Sequence, residues 1–125
     1  MTDIQNNFEK NGYVIVPGNK VLLNKIRKII FQKIKKNKKI KNKSDDEYNI
    51  TKIFNNFHKL INLKELNSLR FNIYKQINIG DEFSKTYYQI AKDYLDDLVG
   101  NELSMQKKIN LSIQLPKDKD SLLDL

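Results

Sequence analysis

Hydrophobic residues recur at helical spacing through most of the chain. Steps of three and four positions place them on one face of each segment, which predicts amphipathic helices. The helices predicted in this way cover 20–36, 51–61, 63–78 and 82–99. A shorter polar stretch, 3–10, is typical of one or two helical turns and is stopped by Gly12. A lysine-asparagine run and the acidic residues after it predict an exposed linker over 37–48.

Two segments have the pattern of strands instead. Residues 13–16 read Tyr-Val-Ile-Val between Gly12 and Pro17, which favours a short strand. Residues 109–115 alternate apolar and polar without a break, which indicates a strand with one buried face, and 103–107 is a weaker strand candidate. The pattern therefore predicts an α+β fold that is mainly helical with a few short strands.

The polar face of segment 109–115 carries three uncharged hydrogen-bonding side chains, Asn110, Ser112 and Gln114. This face could line a polar pocket. Antiparallel sheets commonly keep one face in water, so the pattern alone favours an ordinary solvent-facing strand.

Composition narrows the possible chemistry. A chain of 125 residues with 39% hydrophobic residues is typical of one globular domain rather than a disordered segment. It has no cysteine, which excludes disulfides, thiolate metal sites and thiol nucleophiles. His58 is the single histidine, so a site that needs several imidazoles cannot be built from this chain. No partner is spaced to orient His58 as a catalyst, which favours an exposed or hydrogen-bonded side chain.

The formal net charge of +8 is concentrated in one region. Residues 20–43 contain eleven basic residues and no acidic one, and all basic residues of the chain except Arg27 and Arg70 are lysines. Specific nucleic-acid binding is disfavoured, because bidentate phosphate and base contacts prefer arginine. Residues 1–7 lack the features of a secretory signal, and no run of 18 apolar residues is present. These features predict a cytoplasmic protein without a membrane span.

A family resemblance adds to this interpretation. The stretch 98–116, continued by Ser121-Leu122-Leu123, resembles the phytanoyl-CoA dioxygenase-like group of non-haem iron, 2-oxoglutarate-dependent oxygenases, and within it the members of bacterial carbohydrate biosynthesis clusters. A weaker similarity to the entry strand of this family is carried by the spacing between Phe8 and Gly12 and by the Tyr-Val-Ile-Val run that follows at 13–16. The resemblance implies a single partial domain, 1–125, that begins an incomplete double-stranded β-helix. Its regions would be an entry helix and strand over 1–18, a helical region over 19–100, and first core strands with a truncated tail over 101–125.

In that family a His-x-Asp pair and a later histidine hold the iron, and the pair follows Ser-Leu-Leu closely. None of these ligands follows Leu123 here. The resemblance thus implies the N-terminal part of a hydroxylase that is inactive alone, with Fe(II) and 2-oxoglutarate as cofactors that this chain is not expected to bind by itself. No catalytic or metal-binding residue is assigned.

Residues 108–110 resemble an Arg-Ile-Asn stretch of relatives in which the asparagine hydrogen-bonds 2-oxoglutarate. The resemblance therefore implies that Asn110 binds 2-oxoglutarate. Gln106 and Gln114 are weaker candidates for binding the same cosubstrate. Lys108 stands where the relatives have arginine, which puts a bidentate substrate contact in doubt. The implied partners are a sugar-type substrate and, if the enzyme is split, a complementary chain that carries the iron site. A stand-alone helical interaction module, whose basic stretch 20–43 meets an acidic partner, is the alternative.

Overall fold

The structure, a computed structural model, describes residues 2–38, 40, 44–100, 104 and 107–116. Within these residues the chain forms five α-helices and one 3-10 turn. They are α1 (Asp3–Asn11), α2 (Lys20–Asn37), α3 (Glu47–Asn55), the 3-10 turn (Phe57–Lys59), α4 (Leu63–Ile77) and α5 (Glu82–Val99). None of the described helices combines the length and apolar character that a bilayer crossing requires.

Side-chain caps explain where most of these helices begin. The oxygen of Asn19 accepts from the N–H of Leu22 at 3.1 Å at the start of α2. Asn62 does the same for the N–H of Glu65 at 3.0 Å at the start of α4. Each cap satisfies one of the backbone donors that a helix leaves unpaired in its first turn. The predicted helices 20–36, 63–78 and 82–99 are confirmed with ends that differ by at most one residue.

The predicted helix 51–61 has different bounds. The carboxylate of Asp46 accepts from the N–H of Asn49 at 2.9 Å, so α3 begins at Glu47, inside the predicted linker. The helix ends at Asn55, and the side chain of Asn56 donates to the carbonyl of Lys52 at 2.9 Å. A separate 3-10 turn follows. Local hydrogen bonds from aspartate and asparagine side chains decide both ends, and apolar spacing does not encode them.

The core is formed by the apolar faces of α2, α3 and α4, with α5 packed on α2 and α1 packed on α5. Phe31 of α2 and Ile73 of α4 are both 0% exposed and stand at its centre. Phe31 meets Phe54 edge to face, with ring centroids 6.5 Å apart. The other buried hydrophobic residues are Ile34, Ile40, Ile50, Ile53, Phe57, Ile61, Leu66, Leu69, Ile77, Phe83 and Ile109.

The predicted α+β fold is wrong: among the described residues there are helices and no strand. Segment 13–16 has no regular secondary structure, and Tyr13 and Ile15 are 63% and 87% exposed. Its end is held by the hydroxyl of Tyr94, which donates to the carbonyl of Pro17 at 3.0 Å. β-Branched residues favour strands only where a sheet surface receives them, and the described residues offer no sheet to this segment. The beginning of a double-stranded β-helix is therefore absent from the described residues.

Segment 109–115 also has no regular secondary structure, because no other backbone in the described residues pairs with it; its side chains alternate in burial as those of an extended chain do. The alternation of apolar and polar residues in this segment nevertheless corresponds to an alternation of buried and exposed side chains. Ile109 is buried, the other apolar residues Leu111, Ile113 and Leu115 are partly buried against the core, and the polar residues between them are exposed. The side-chain pattern was thus informative about faces and uninformative about pairing. Most of the weaker candidate 103–107 lies outside the described residues.

Replacing Ile73 by alanine should lower the free energy of unfolding by about 2–5 kcal/mol, because a fully buried side chain leaves a cavity between α4 and α2. Ile79 offers a matched control, since it is 76% exposed just after the same helix. Ile79→Ala should change the unfolding free energy by less than about 0.5 kcal/mol. Urea denaturation followed by circular dichroism measures both, and equal effects of the two substitutions would contradict the position of the core.

Candidate functional site

The C-terminal extended segment is attached to helix α4 by two polar side chains. Asn78 and Ile109 exchange two hydrogen bonds: the N–H of Ile109 donates to Oδ1 of Asn78 at 2.8 Å, and Nδ2 of Asn78 donates to the carbonyl of Ile109 at 3.0 Å. Farther along, Nε of Arg70 donates to the carbonyl of Ile113 at 2.6 Å. Side chains of α4 therefore take the place that a neighbouring strand would occupy.

The spacing of the two attachments follows from helix and strand geometry. Arg70 and the C-cap residue Asn78 are eight positions apart, and eight helical residues rise about 12 Å. Four residues separate Ile109 from Ile113, and four extended residues span about 13 Å. The segment thus runs antiparallel to α4, and both attachments form without bending it.

Both anchoring side chains are themselves held in place. Nδ2 of Asn78 also donates to the carbonyl of Tyr74 at 2.8 Å, and Nη1 of Arg70 donates to Oδ1 of Asn67 at 2.8 Å. Side chains that are already fixed lose little conformational entropy when they bind the segment. Helix α4 therefore presents a preformed pair of anchors.

The structure places Asn110 and Gln114 together on the exposed face of the segment, with Ser112 between them. The backbone next to Asn110 is fixed by the bonds of Ile109, so the position of this amide is defined although its side chain is in solvent. Gln106, the third predicted cosubstrate residue, lies outside the described residues. Lys108 is exposed directly before the anchored residue.

An apolar pocket of about 330 Å³ lies between the segment and helices α2 and α3. Ile30 and Ile34 of α2 and Phe54 of α3 form one wall, and residues 111–116 form the other. His58 also lines this pocket, and its side chain is exposed, one of the two placements predicted from the sequence. A pocket of this composition suits aliphatic or aromatic groups better than a charged cosubstrate.

The residues present do not fit an iron centre. In the part of the chain that the structure describes, no three His, Cys, Asp or Glu residues lie close enough to hold a metal ion. The whole sequence has one histidine and no cysteine, whereas a two-histidine, one-carboxylate triad needs two imidazoles.

The groups whose pKa is shifted lie away from segment 109–115, and each shift has a local cause. Hydrogen bonds from Ser44 and then from the N–H of Asn49 lower the pKa of Asp46 at the start of α3. The ammonium of Lys85 lowers the pKa of Asp81, and Asp96 raises the pKa of Lys92. These exposed groups belong to a helix cap and to pairs one helical turn apart. They stabilise helices; the ammonium of Lys92, for example, donates to Asp96 at 2.6 Å.

Comparisons of the chain with protein-family models, with curated proteins and with solved structures find no match. The candidate site is therefore defined by the contacts of segment 107–116 alone.

The sequence analysis assigned no role to Arg70 or Asn78. One signal was available: Arg70 lies on α4 and Asn78 is its C-cap residue, and each directly follows a residue of the apolar stripe, Leu69 or Ile77. Arg70 is also one of only two arginines among the basic residues, and both have structural partners. The other, Arg27, donates to the hydroxyl of Thr51 at 2.7 Å and lies over the ring of Phe54.

Replacing Asn78 by alanine should release the start of the segment. The N–H of Ile109 would lose its acceptor, so its amide should exchange about tenfold faster or more, the factor expected for loss of a hydrogen bond of about 1.5 kcal/mol. Asn72→Ala on the exposed side of the same helix is the control and should leave the exchange unchanged. Hydrogen exchange followed by NMR measures both, and an Ile109 amide that stays equally slow in the two variants would contradict the anchoring role.

Proposed function

We propose that this chain is the N-terminal part of an Fe(II)/2-oxoglutarate-dependent oxygenase, a hydroxylase of carbohydrate or polysaccharide biosynthesis. In this proposal the chain supplies Asn110 to the cosubstrate site. The iron ligands come from another segment or polypeptide, because the described residues do not form a metal site. The chain alone is inactive.

The observation that carries the proposal is the anchoring of Ile109 by Asn78. This pair of bonds holds the backbone next to Asn110 in one position and leaves the Asn110 amide exposed on the side away from the core. An amide held in this way is arranged to bind a group outside the helical layer. It also coincides with the asparagine that the family resemblance assigns to 2-oxoglutarate.

The chemistry of an amide suits this role. The side-chain N–H groups of asparagine donate to a carboxylate, and a neutral amide is a weaker metal ligand than the carboxylate or imidazole groups that hold iron. Asn110 would therefore orient the cosubstrate without competing for the metal. Iron, when bound by the rest of the enzyme, supplies open coordination positions for oxygen and 2-oxoglutarate.

The direct test measures release of labelled carbon dioxide from 2-oxoglutarate. The purified chain with Fe(II) should release none. The polypeptide encoded directly downstream of the Leu125 codon, joined to the chain or mixed with it, should restore release. Decarboxylation or stoichiometric iron binding by the chain alone would overturn the proposal, as would a downstream sequence without His-x-Asp.

In the restored enzyme, Asn110→Ala should raise the KM for 2-oxoglutarate about tenfold or more, because a hydrogen bond to a charged group is lost. Ser112→Ala removes an exposed polar side chain two positions away and should leave that KM unchanged. Equal KM values for 2-oxoglutarate in the two variants would contradict the role of Asn110 without contradicting the proposed reaction class.

A second candidate function is favoured by the surface of α2. Lys25, Lys28 and Lys36 are exposed on one side of this helix, which contains no acidic residue. Other basic side chains nearby have structural contacts: Lys35 lies over the ring of Phe31, and Lys38 pairs with Glu65. The three exposed lysines therefore form the part of the basic region best placed to meet an acidic partner.

Reversing these three charges to glutamate should abolish retention of the chain on immobilised poly-glutamate at low salt. Long-range attraction between exposed charges is screened at about 0.15 M salt, so retention of the unaltered chain should fall over the same range. Lys64→Glu, an exposed reversal at the start of α4, is the control. Retention that survives the triple reversal would eliminate this candidate.

A further inference from the structure

The two edges of the extended segment 109–115 differ in their hydrogen bonding. In an extended chain the N–H and C=O of one residue point to the same edge, and successive residues alternate between the edges. Ile109 and Ile113, which bond to Asn78 and Arg70, have the same parity. The odd-numbered residues therefore direct their backbone groups toward α4.

The even-numbered residues direct their backbone groups to the opposite edge. The N–H and C=O groups of Asn110, Ser112 and Gln114 have no hydrogen-bond partner among the described residues. Within the described part of the chain this edge is therefore open. An open row of backbone donors and acceptors with a two-residue repeat is the template on which a further strand pairs.

The apolar pocket lies along this segment. Its walls are residues 111–116 and the helices α2 and α3, whereas the anchors come from α4. A strand added beside the segment would turn alternate side chains down toward Ile30, Ile34 and Phe54. The edge thus offers hydrogen bonds to a backbone, and the pocket offers apolar contact to every second side chain, the two features of strand addition.

We propose that the open edge of 110–114 binds a β-strand of another polypeptide, with apolar residues at alternate positions and a net negative charge. The negative charge is inferred from α2, which forms a wall of the pocket, lies in the basic region 20–43 and contains no acidic residue; the formal charge of +8 also opposes the approach of a second copy of this chain. The source of the strand, the part of the enzyme that carries the iron ligands, rests on the proposed function; the edge itself does not.

The probe is the acidic peptide Glu-Val-Thr-Val-Glu-Val-Thr-Val-Glu, added to the whole chain and followed by amide hydrogen exchange with NMR detection. The amides of Asn110, Ser112 and Gln114 should slow about tenfold or more, as expected for one new hydrogen bond each of about 1.5 kcal/mol. The intervening amide of Leu111, which points to the other edge, should not change. Equal slowing of exchange at the even-numbered and odd-numbered amides, or no slowing at any of them, would overturn the proposal.

Two matched controls separate backbone pairing from other contacts. The same peptide N-methylated at every valine and threonine keeps the side chains, lacks those donors and should not protect the edge. In the chain, Ser112→Ala keeps the backbone N–H and should bind as the unaltered protein does. Ser112→Pro removes that N–H and should weaken binding about tenfold or more. If Ser112→Pro loses its helical circular dichroism, the methylated peptide decides alone.

The outcomes distinguish this proposal from the proposed function. If the peptide protects the even-numbered amides but decarboxylation is not restored, strand binding at 110–114 is supported and the oxygenase function is contradicted. If decarboxylation is restored but the three even-numbered amides are protected neither in the complex nor by the peptide, the oxygenase function is supported and strand binding at this edge is contradicted. A dimer of the chain alone that protects the same amides would overturn the assignment of an acidic partner.

Discussion

The apolar contact between α2 and α4 is the interaction on which the rest of the structure depends. Phe31 and Ile73, one from each helix, are both 0% exposed and stand at the centre of the core. Without that contact, α3 and the segment after residue 107 have no surface on which to bury their apolar residues. The orientation of α4 is fixed here, and with it the positions of Arg70 and Asn78.

Helix α4 consequently has two roles. Its stripe of Leu66, Leu69, Ile73 and Ile77 builds the core, and the polar residues beside that stripe hold an extended chain by its backbone. A helix cannot continue a sheet, because its own backbone groups are already paired. It can satisfy one edge of an extended segment through side chains, and it then leaves the other edge for a second polypeptide. The proposed roles of Asn110 and of the even-numbered backbone groups both concern parts of the segment that do not bond to α4.

Much of the helical architecture could be predicted from the sequence, since apolar residues at helical spacing are a direct consequence of burying one helix face. The beginning of α3 could not, because the side chain of Asp46 sets it through a single capping bond. Both strands were predicted wrongly for a related reason. Alternation records which side of an extended chain is buried, whereas a strand also requires a neighbour, and the neighbour is not encoded in the segment. The exposed position of Asn110 followed from the alternation, but the bonds that fix Ile109 join residues 31 positions apart and left no local trace.

The matched rise of helix and extended chain has a consequence for how this region tolerates change. One inserted residue between Ile109 and Ile113 would exchange the two faces beyond it, putting amides into the core and isoleucine or leucine into water, and would at the same time turn the open edge inward. Substitution of an exposed side chain has neither effect. Length is therefore constrained more strictly than residue identity at 110, 112 and 114, and insertions or deletions here should be far rarer than replacements among functional variants of this chain.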